Sequence, residues 1–228
     1  MANLAVGNLR EMLLQLLNEK ERGVHAETLM VVVGALAGHA TALAAHFLKG
    51  KPGRTMLLSV TKADGTNYYF GDGLNRFLAP EDPTIPSLWG LIAPAAIEAG
   101  VPPAELPEPG SMFGYVTQSI GTGEFGKVRA PGDHPPHWSP RECLDAFWPL
   151  AREVLASTRS PMGEKPSVPV EHWPVVVALV ARQFIGMTRS VLDPRLSLQF
   201  LMESAIAMSK VDPKAIPQER PKAEPAAS

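Results

Sequence analysis

The sequence predicts an α+β fold that is mostly α, with a helical core and a small antiparallel β portion made of one or two hairpins. Three observations predict this class: a long apolar run at 28–48, further segments with apolar residues at helical spacing, and two β-prone segments around a turn signal. The run reads TLMVVVGALAGHATALAAHFL and contains no Asp, Glu, Lys or Arg. Because exposing it to water costs too much free energy, it must be buried.

The first two predicted elements are helices. Leucines and a methionine at helical spacing predict a helix over 9–22, with Asn8 as its cap and Gly23 as its end. The apolar run predicts a second helix over 26–49, stopped by Gly50. The short connection between them implies an antiparallel helical hairpin.

A run of 21 such residues is also long enough to cross a bilayer. Gly34 and Gly38 form a small-xxx-small packing pattern of the kind found between membrane helices. However, six alanines, two glycines and two histidines lower the hydrophobicity of the run, and its flanks carry no aromatic belt. We therefore expect a buried core helix and no membrane span.

Three histidines, His25, His39 and His46, are spaced 14 and 7 residues apart and share one helical face. Residues seven apart on a helix are separated by about 10.5 Å along the axis, which is too far for one metal ion to join them. We expect them to be hydrogen-bonded at a helix contact.

The β portion is predicted next. Segments 55–61 and 67–70 are β-prone, and Asp64-Gly65 between them is a turn signal, so they form a hairpin. A short helix over 74–78 and a helix over 86–99, kinked or split at Pro94, are expected to follow.

A second hairpin is predicted in a stretch that is rich in proline. Segments 112–120 and 124–129 flank Gly121-Thr122-Gly123 and would pair across it. The segment 121–128 also fits the glycine-rich nucleotide-loop pattern of protein kinases, but the companion motifs of that family are missing. A plain hairpin turn is therefore expected here.

Three helices are predicted in the C-terminal part of the chain, and they begin near Ser139, Glu171 and Asp193. Residues 1–210 would form one globular domain. Residues 211–228 contain four prolines and alternating charges, so we expect a disordered tail.

Composition narrows the function classes. The net charge of −2 and the scattered Lys and Arg argue against nucleic-acid binding. A single cysteine, Cys143, excludes an intrachain disulfide, and the N-terminus lacks the pattern of a secretory signal. We expect a cytoplasmic protein.

Two sets of residues are candidate sites. Asp133, His134 and His137 combine a carboxylate with two imidazoles and are candidate ligands of zinc or a similar ion. A polar and aromatic cluster after the predicted hairpin is the candidate small-ligand site. It consists of His46, Tyr69, Asp72, Arg76 and Trp89.

Two functions follow from these patterns. The first is a noncatalytic intracellular interaction or structural protein that forms homo-oligomers. The segments 28–48, 175–180 and 198–208 provide a surplus of apolar helix surface, which a second copy would cover. The second is a small-ligand-binding or metal-dependent enzyme domain that uses the central region 68–137. No motif indicates a cofactor.

Overall fold

The computed structural model describes residues 2–19, 23–51, 56–157 and 168–219. Within these ranges the chain forms eight α-helices and two small antiparallel sheets, which confirms the predicted mostly α, α+β class. In chain order the elements are α1 Ala2–Leu17, β1 Asn18–Glu19, β2 Gly23–Val24, α2 Ala26–Leu48, β3 Leu58–Thr61, β4 Asn67–Phe70, α3 Asp72–Leu78, α4 Leu88–Glu98, α5 Pro109–Ser119, α6 Pro140–Ser157, α7 Trp173–Thr188 and α8 Pro194–Lys210.

Helix α2 is the centre of the fold, as the charge-free run predicted. All of its residues except Leu43, His46 and Phe47 are buried, and α6, α7 and α8 pack around it. Among the described residues, α2 is the one helix long and apolar enough to cross a membrane, and 94% of its apolar 18-residue window is buried inside the protein. The run is therefore covered by protein atoms of the same chain.

The small-residue pattern of α2 serves its contact with α8. A Cβ atom on Gly34 would lie 2.5 Å from the carbonyl oxygen of Leu201, and a Cβ on Gly38 would overlap the carbonyl oxygen of Ala205. The two helix backbones touch at these glycines, which no other residue type permits. The pattern typical of membrane helices thus joins two helices of one core.

Helix α1 differs from its prediction at both ends. It begins at Ala2 and ends at Leu17, so Asn8 lies within the helix and does not cap it. The buried stripe explains the earlier start, because Ala5 and Val6 continue the spacing of Leu9 and Leu13 into the core. Asn18 and Glu19 then pair with Gly23 and Val24 in a short antiparallel bridge, and residues 20–22 lie outside the described part.

The first predicted hairpin is confirmed. Strand β3 pairs with β4 in the register Leu58 with Phe70 and Thr61 with Asn67, whereas residue 55 lies outside the described part. On its inner side the hairpin meets the end of α8, where Tyr68 forms a bridge with Val211. All four residues of β3 are exposed, so β3 is the outer edge of the sheet.

The second predicted hairpin is wrong. Residues of its first strand belong to helix α5, and residues 121–126 form turns. The carboxylate of Glu108 accepts hydrogen bonds from the backbone N–H groups of Gly110 and Ser111, and this caps the helix. Met112 and Val116, four residues apart, are both buried, which is helical spacing.

The glycine-rich segment 121–128 is a turn, although not within a hairpin. It leads into Arg129, whose backbone N–H and side chain both donate to the buried carboxylate of Glu203, at 2.7 and 2.6 Å. Burial raises the pKa of Glu203, although Arg129 opposes the shift. The segment therefore ends in an ion pair that ties it to α8.

The remaining helices begin close to where they were expected. Helix α3 begins at Asp72, and α4 continues through Pro94 as one helix. The hydroxyl of Ser139 and the carboxylate of Glu142 bond to one another at the start of α6. After α8, residues up to 219 pack on the domain, with Ile216 buried, and residues 220–228 lie outside the described part.

Candidate functional site

A cluster of histidines and carboxylates lies at the N-terminus of α2. The loop at 130–138 lies against this end of the helix, and its backbone is fastened by a hydrogen bond of 2.9 Å from the N–H of His137 to the hydroxyl oxygen of Thr28. We call this arrangement the histidine cluster. Its members are Glu19, His25, Glu27, Thr28, His134 and His137.

His25 is the N-cap of α2, and its hydrogen bonds define one tautomer. Its Nδ1 accepts from the backbone N–H of Thr28 at 3.4 Å and lies 2.8 Å from the Thr28 hydroxyl. Because that hydroxyl accepts from His137, its own proton is available for His25 Nδ1. The network therefore assigns the proton of neutral His25 to Nε2, which faces Glu27 Oε2 at 3.5 Å.

Glu27 is the centre of the cluster because it faces two imidazoles. Its Oε1 accepts a hydrogen bond of 2.7 Å from His134 Nδ1, and its Oε2 faces His25. The Glu27 side chain is only 11% exposed, whereas that of His134 is 30% exposed. The carboxylate is therefore held inside, while both of its imidazole partners reach solvent, since the His25 side chain is 33% exposed.

His137 completes the cluster. Its ring stacks on that of His25 with a centroid distance of 3.8 Å and an interplanar angle of 20°. Its Nδ1 lies 3.7 Å from Glu19 Oε1. Two cationic rings at this separation would repel each other, so the stack favours at least one neutral ring.

The cluster separates the pKa values of two histidines. The hydrogen bond that His134 donates to Glu27 raises the pKa of His134, although desolvation opposes this shift. Burial lowers the pKa of His25. The neighbouring carboxylates of Glu27 and Glu19 act to raise it, and His137 acts to lower it further. Burial acts to raise the pKa of Glu27, but its hydrogen bond to His134 and its other contacts outweigh this and lower it.

The Glu27–His134 pair has the arrangement of an acid–base dyad. A carboxylate that holds one imidazole nitrogen fixes the ring and leaves the other nitrogen to exchange protons with a substrate. Here Nδ1 is held and Nε2 is the exchanging atom. Thr28 also contacts an imidazole, but it is 3% exposed and makes structural hydrogen bonds, so it does not present a nucleophile to a substrate.

The predicted metal ligands are placed as follows. His134 and His137 meet at the start of α2, and Asp133 Oδ2 lies 3.8 Å from His134 Nε2 on a side chain that is 80% exposed. Nδ1 of His134 is occupied by Glu27. Within the described ranges, no group of three or more His, Cys, Asp and Glu has the spacing that would hold a metal ion. The metal site stays a prediction.

The predicted ligand residues divide into three places. His46 and Tyr69 are in edge-to-face contact at 4.4 Å, and the Tyr69 hydroxyl donates to Asp212 at 3.5 Å. Asp72 and Arg76 lie on α3 along a separate cavity of about 640 Å³. Trp89 packs against the main core. His46 and Tyr69 are thus in contact and Asp72 and Arg76 share one cavity, and the ligand site itself stays a prediction.

His39 lies far inside the core and takes no part in the histidine cluster. It meets the Trp148 ring edge to face at 4.4 Å, and both of its ring nitrogens are buried without a hydrogen-bond partner among the described residues. The expected hydrogen bonds are thus wrong for His39. They are present for His25 and for His46, whose Nδ1 donates to the Ala42 carbonyl oxygen at 2.8 Å.

A cleft of about 460 Å³ lies between the β3–β4 turn and the segment after α8, and Tyr68, Phe125 and Met208 form part of its apolar lining. Its charged groups already have partners. Arg141 donates to Asp145 and to the carbonyl oxygen of Ala215, and Asp212 accepts from the backbone N–H of Lys214. The cleft therefore offers no pair like Glu27 and His134, in which a carboxylate holds an imidazole, among its lining residues.

Sequence reasoning found His134 and His137 but missed Glu27, Glu19 and the capping role of His25. Glu27 and His134 are 107 positions apart in the chain, so no local pattern joins them. One signal was present: a carboxylate within the first turn of a helix that begins with histidine and continues into an apolar run. No protein-family model, no curated protein and no solved structure matches this chain.

Proposed function

We propose that the chain is an enzyme that transfers protons to or from a small substrate at His134. The observation that carries the proposal is the 2.7 Å hydrogen bond from His134 Nδ1 to the nearly buried carboxylate of Glu27. It orients the ring of this partly exposed side chain and leaves Nε2, which lies 3.8 Å from Asp133 Oδ2, as the nitrogen that Glu27 does not hold. This develops the second function inferred from the sequence, a domain that uses the central region.

The charges around His134 restrict the substrate class. Glu19, Glu27 and Asp133 are within ion-pair distance of imidazoles of the cluster, and Asp193 is close enough to raise the pKa of His134. A site surrounded by carboxylates attracts neutral or cationic molecules and repels anions. We therefore expect an uncharged or amine-bearing substrate with an acidic C–H or O–H group.

Solvent-exchange NMR tests this proposal on carbon acids. The full chain is incubated in D₂O with dihydroxyacetone, glyceraldehyde or glucosamine, and loss of the proton signal next to the carbonyl is followed. We expect faster exchange with the wild-type protein than with buffer, and loss of at least about tenfold of the enhancement in Glu27→Gln and His134→Gln, since general acid–base catalysis contributes about 10²–10⁴-fold.

Glu98→Gln is the matched control, because Glu98 is exposed and pairs with Arg182. It should exchange at the wild-type rate. Equal rates in wild type and His134→Gln, or no enhancement with any of these probes, would count against proton transfer at His134. Exchange that disappears with EDTA and returns with zinc would favour the metal-dependent prediction for Asp133, His134 and His137.

Self-association is a second candidate, and it keeps the prediction of a noncatalytic homo-oligomer. The apolar segments that suggested it, at 28–48, 175–180 and 198–208, do not support it, because α2, α7 and α8 pack against one another within the chain. A different surface favours it: Leu58 and Val60 in the outer edge strand β3 are exposed by 49% and 54%, and Met56, two residues before the strand, is exposed by 68%. Antiparallel pairing of β3 with a second copy is two-fold symmetric and would cover them. Light scattering that shows a monomer at all concentrations would contradict this candidate.

The cytoplasmic location and the absence of nucleic-acid partners and membrane spans stay predictions. The single thiol is consistent with that location. Cys143 is fully buried, and burial raises the pKa of its thiol to about 12, so it is a core residue and not a reactive group.

A further inference from the structure

A small cavity lies at the C-terminal end of α2, about 31 Å along the helix from Glu27 at 1.5 Å per residue. Its volume is about 250 Å³, below the range of about 300–1,000 Å³ that suits drug-sized ligands. Its apolar lining includes Leu48, Phe77, Ile85 and Val175. Leu48 and Phe77 also form, with Ala44, a hydrophobic cluster separate from the main core.

Two charged side chains of opposite sign line the same cavity, Arg76 from α3 and Glu171 from the turn before α7. Arg76 Nε and Glu171 Oε2 are both buried, and neither has a hydrogen-bond partner among the described residues. The guanidinium of Arg76 lies 5.4 Å from the ring centroid of Phe77. The two side chains do not bond to each other.

Buried polar atoms without partners are rare in folded proteins, because each loses its hydration without compensation. A molecule that supplies one group of each kind would satisfy the open donor and the open acceptor of this cavity together. An arginine binds carboxylates well, and a carboxylate binds ammonium groups. Between them, the molecule must have an apolar portion that fits the lining.

We propose that this cavity binds a free α-amino acid with an apolar side chain. The ligand carboxylate accepts from Arg76, its ammonium donates to Glu171, and its side chain packs on Leu48 and Phe77. The sequence named Arg76 as a ligand residue but gave no partner for it, and Glu171 supplies that partner. The proposal does not depend on proton transfer at His134, since the two sites lie at opposite ends of α2.

The test measures the melting temperature of the full chain with L-leucine, L-valine and L-phenylalanine in large excess. Two analogues separate the charges: N-acetyl-L-leucine lacks the ammonium and L-leucinamide lacks the carboxylate. We expect at least one amino acid to raise the melting temperature by about 5–10 °C at about 100 times its Kd. Both analogues should bind at least about tenfold more weakly than leucine.

Glu171→Gln and Arg76→Met test the same contacts from the side of the protein. Each should weaken binding of the best amino acid at least about tenfold, and Arg182→Met, an exposed arginine paired with Glu98, should not. No shift with any of the three amino acids, or equal binding of leucine and both analogues, would overturn the proposal. If Arg76→Met fails to fold, the comparison of leucine with its two analogues on the wild-type protein still tests whether both charges of the ligand are recognised.

Discussion

Gly38→Val is expected to lower the free energy of unfolding by about 3 kcal/mol or more, because a buried backbone has to move to admit the side chain. A Cβ at this position would overlap the carbonyl oxygen of Ala205, and its next neighbours are other backbone atoms of the same residue. Backbone cannot rotate away as a flexible side chain can. Helix α8 would have to separate from α2, which would loosen the largest contact of the core.

Urea unfolding followed by circular dichroism measures this effect. Gly186→Ala is the control, since a Cβ on Gly186 in α7 meets nothing within 4 Å, and it should raise stability by up to about 1 kcal/mol through helix propensity. If Gly38→Val does not fold, Gly38→Ala provides the smaller perturbation. A stability of Gly38→Ala within about 0.5 kcal/mol of wild type would show that the two backbones do not touch.

The second large effect is acid destabilisation through His39. Burial lowers the pKa of His39 to about 3, with smaller contributions from Arg141 and His46. The unfolded chain takes up this proton below about pH 6.5, whereas the folded chain does not. Stability from this group is therefore complete above pH 6.5 and falls as the pH decreases towards 3, by about 4–5 kcal/mol in total.

His39→Leu removes this proton uptake and two buried nitrogen atoms without partners. We expect the variant to gain stability relative to wild type by about 1.4 kcal/mol for each unit of pH below 6.5. The measurement is the free energy of unfolding of both proteins between pH 7.5 and pH 3.5. Parallel curves over this interval would show that His39 is protonated in the folded protein.

The sequence predicted those elements whose signals are local. A charge-free run at 28–48 predicted α2, and Asp64-Gly65 between β-prone segments predicted the β3–β4 hairpin. Segment 112–120 is the element that the sequence mispredicts: the cap at Glu108 and the helical spacing of Met112 and Val116 make it part of α5, although the turn residues at 121–123 favour a hairpin. Local propensity is overridden here by burial.

The candidate sites were less predictable because they depend on contacts between distant segments. His134 and His137 were recognisable as chemistry-bearing residues, but the partner that fixes His134 lies on α2. Arg76 was recognisable too, whereas Glu171 reaches the same cavity from a turn before another helix. Residue types indicate which side chains have chemistry, and only the packing of helices decides which of them meet.

The protonation of His134 is the most direct test of the proposed site. Long-range ¹⁵N NMR of the imidazoles should show that neutral His134 carries its proton on Nδ1 and that its pKa lies above the usual value for histidine, with a fall in Glu27→Gln. Glu19→Gln should leave His134 unchanged, because Glu19 faces His137. A neutral His134 protonated on Nε2, or the same pKa in wild type and Glu27→Gln, would contradict the acid–base dyad.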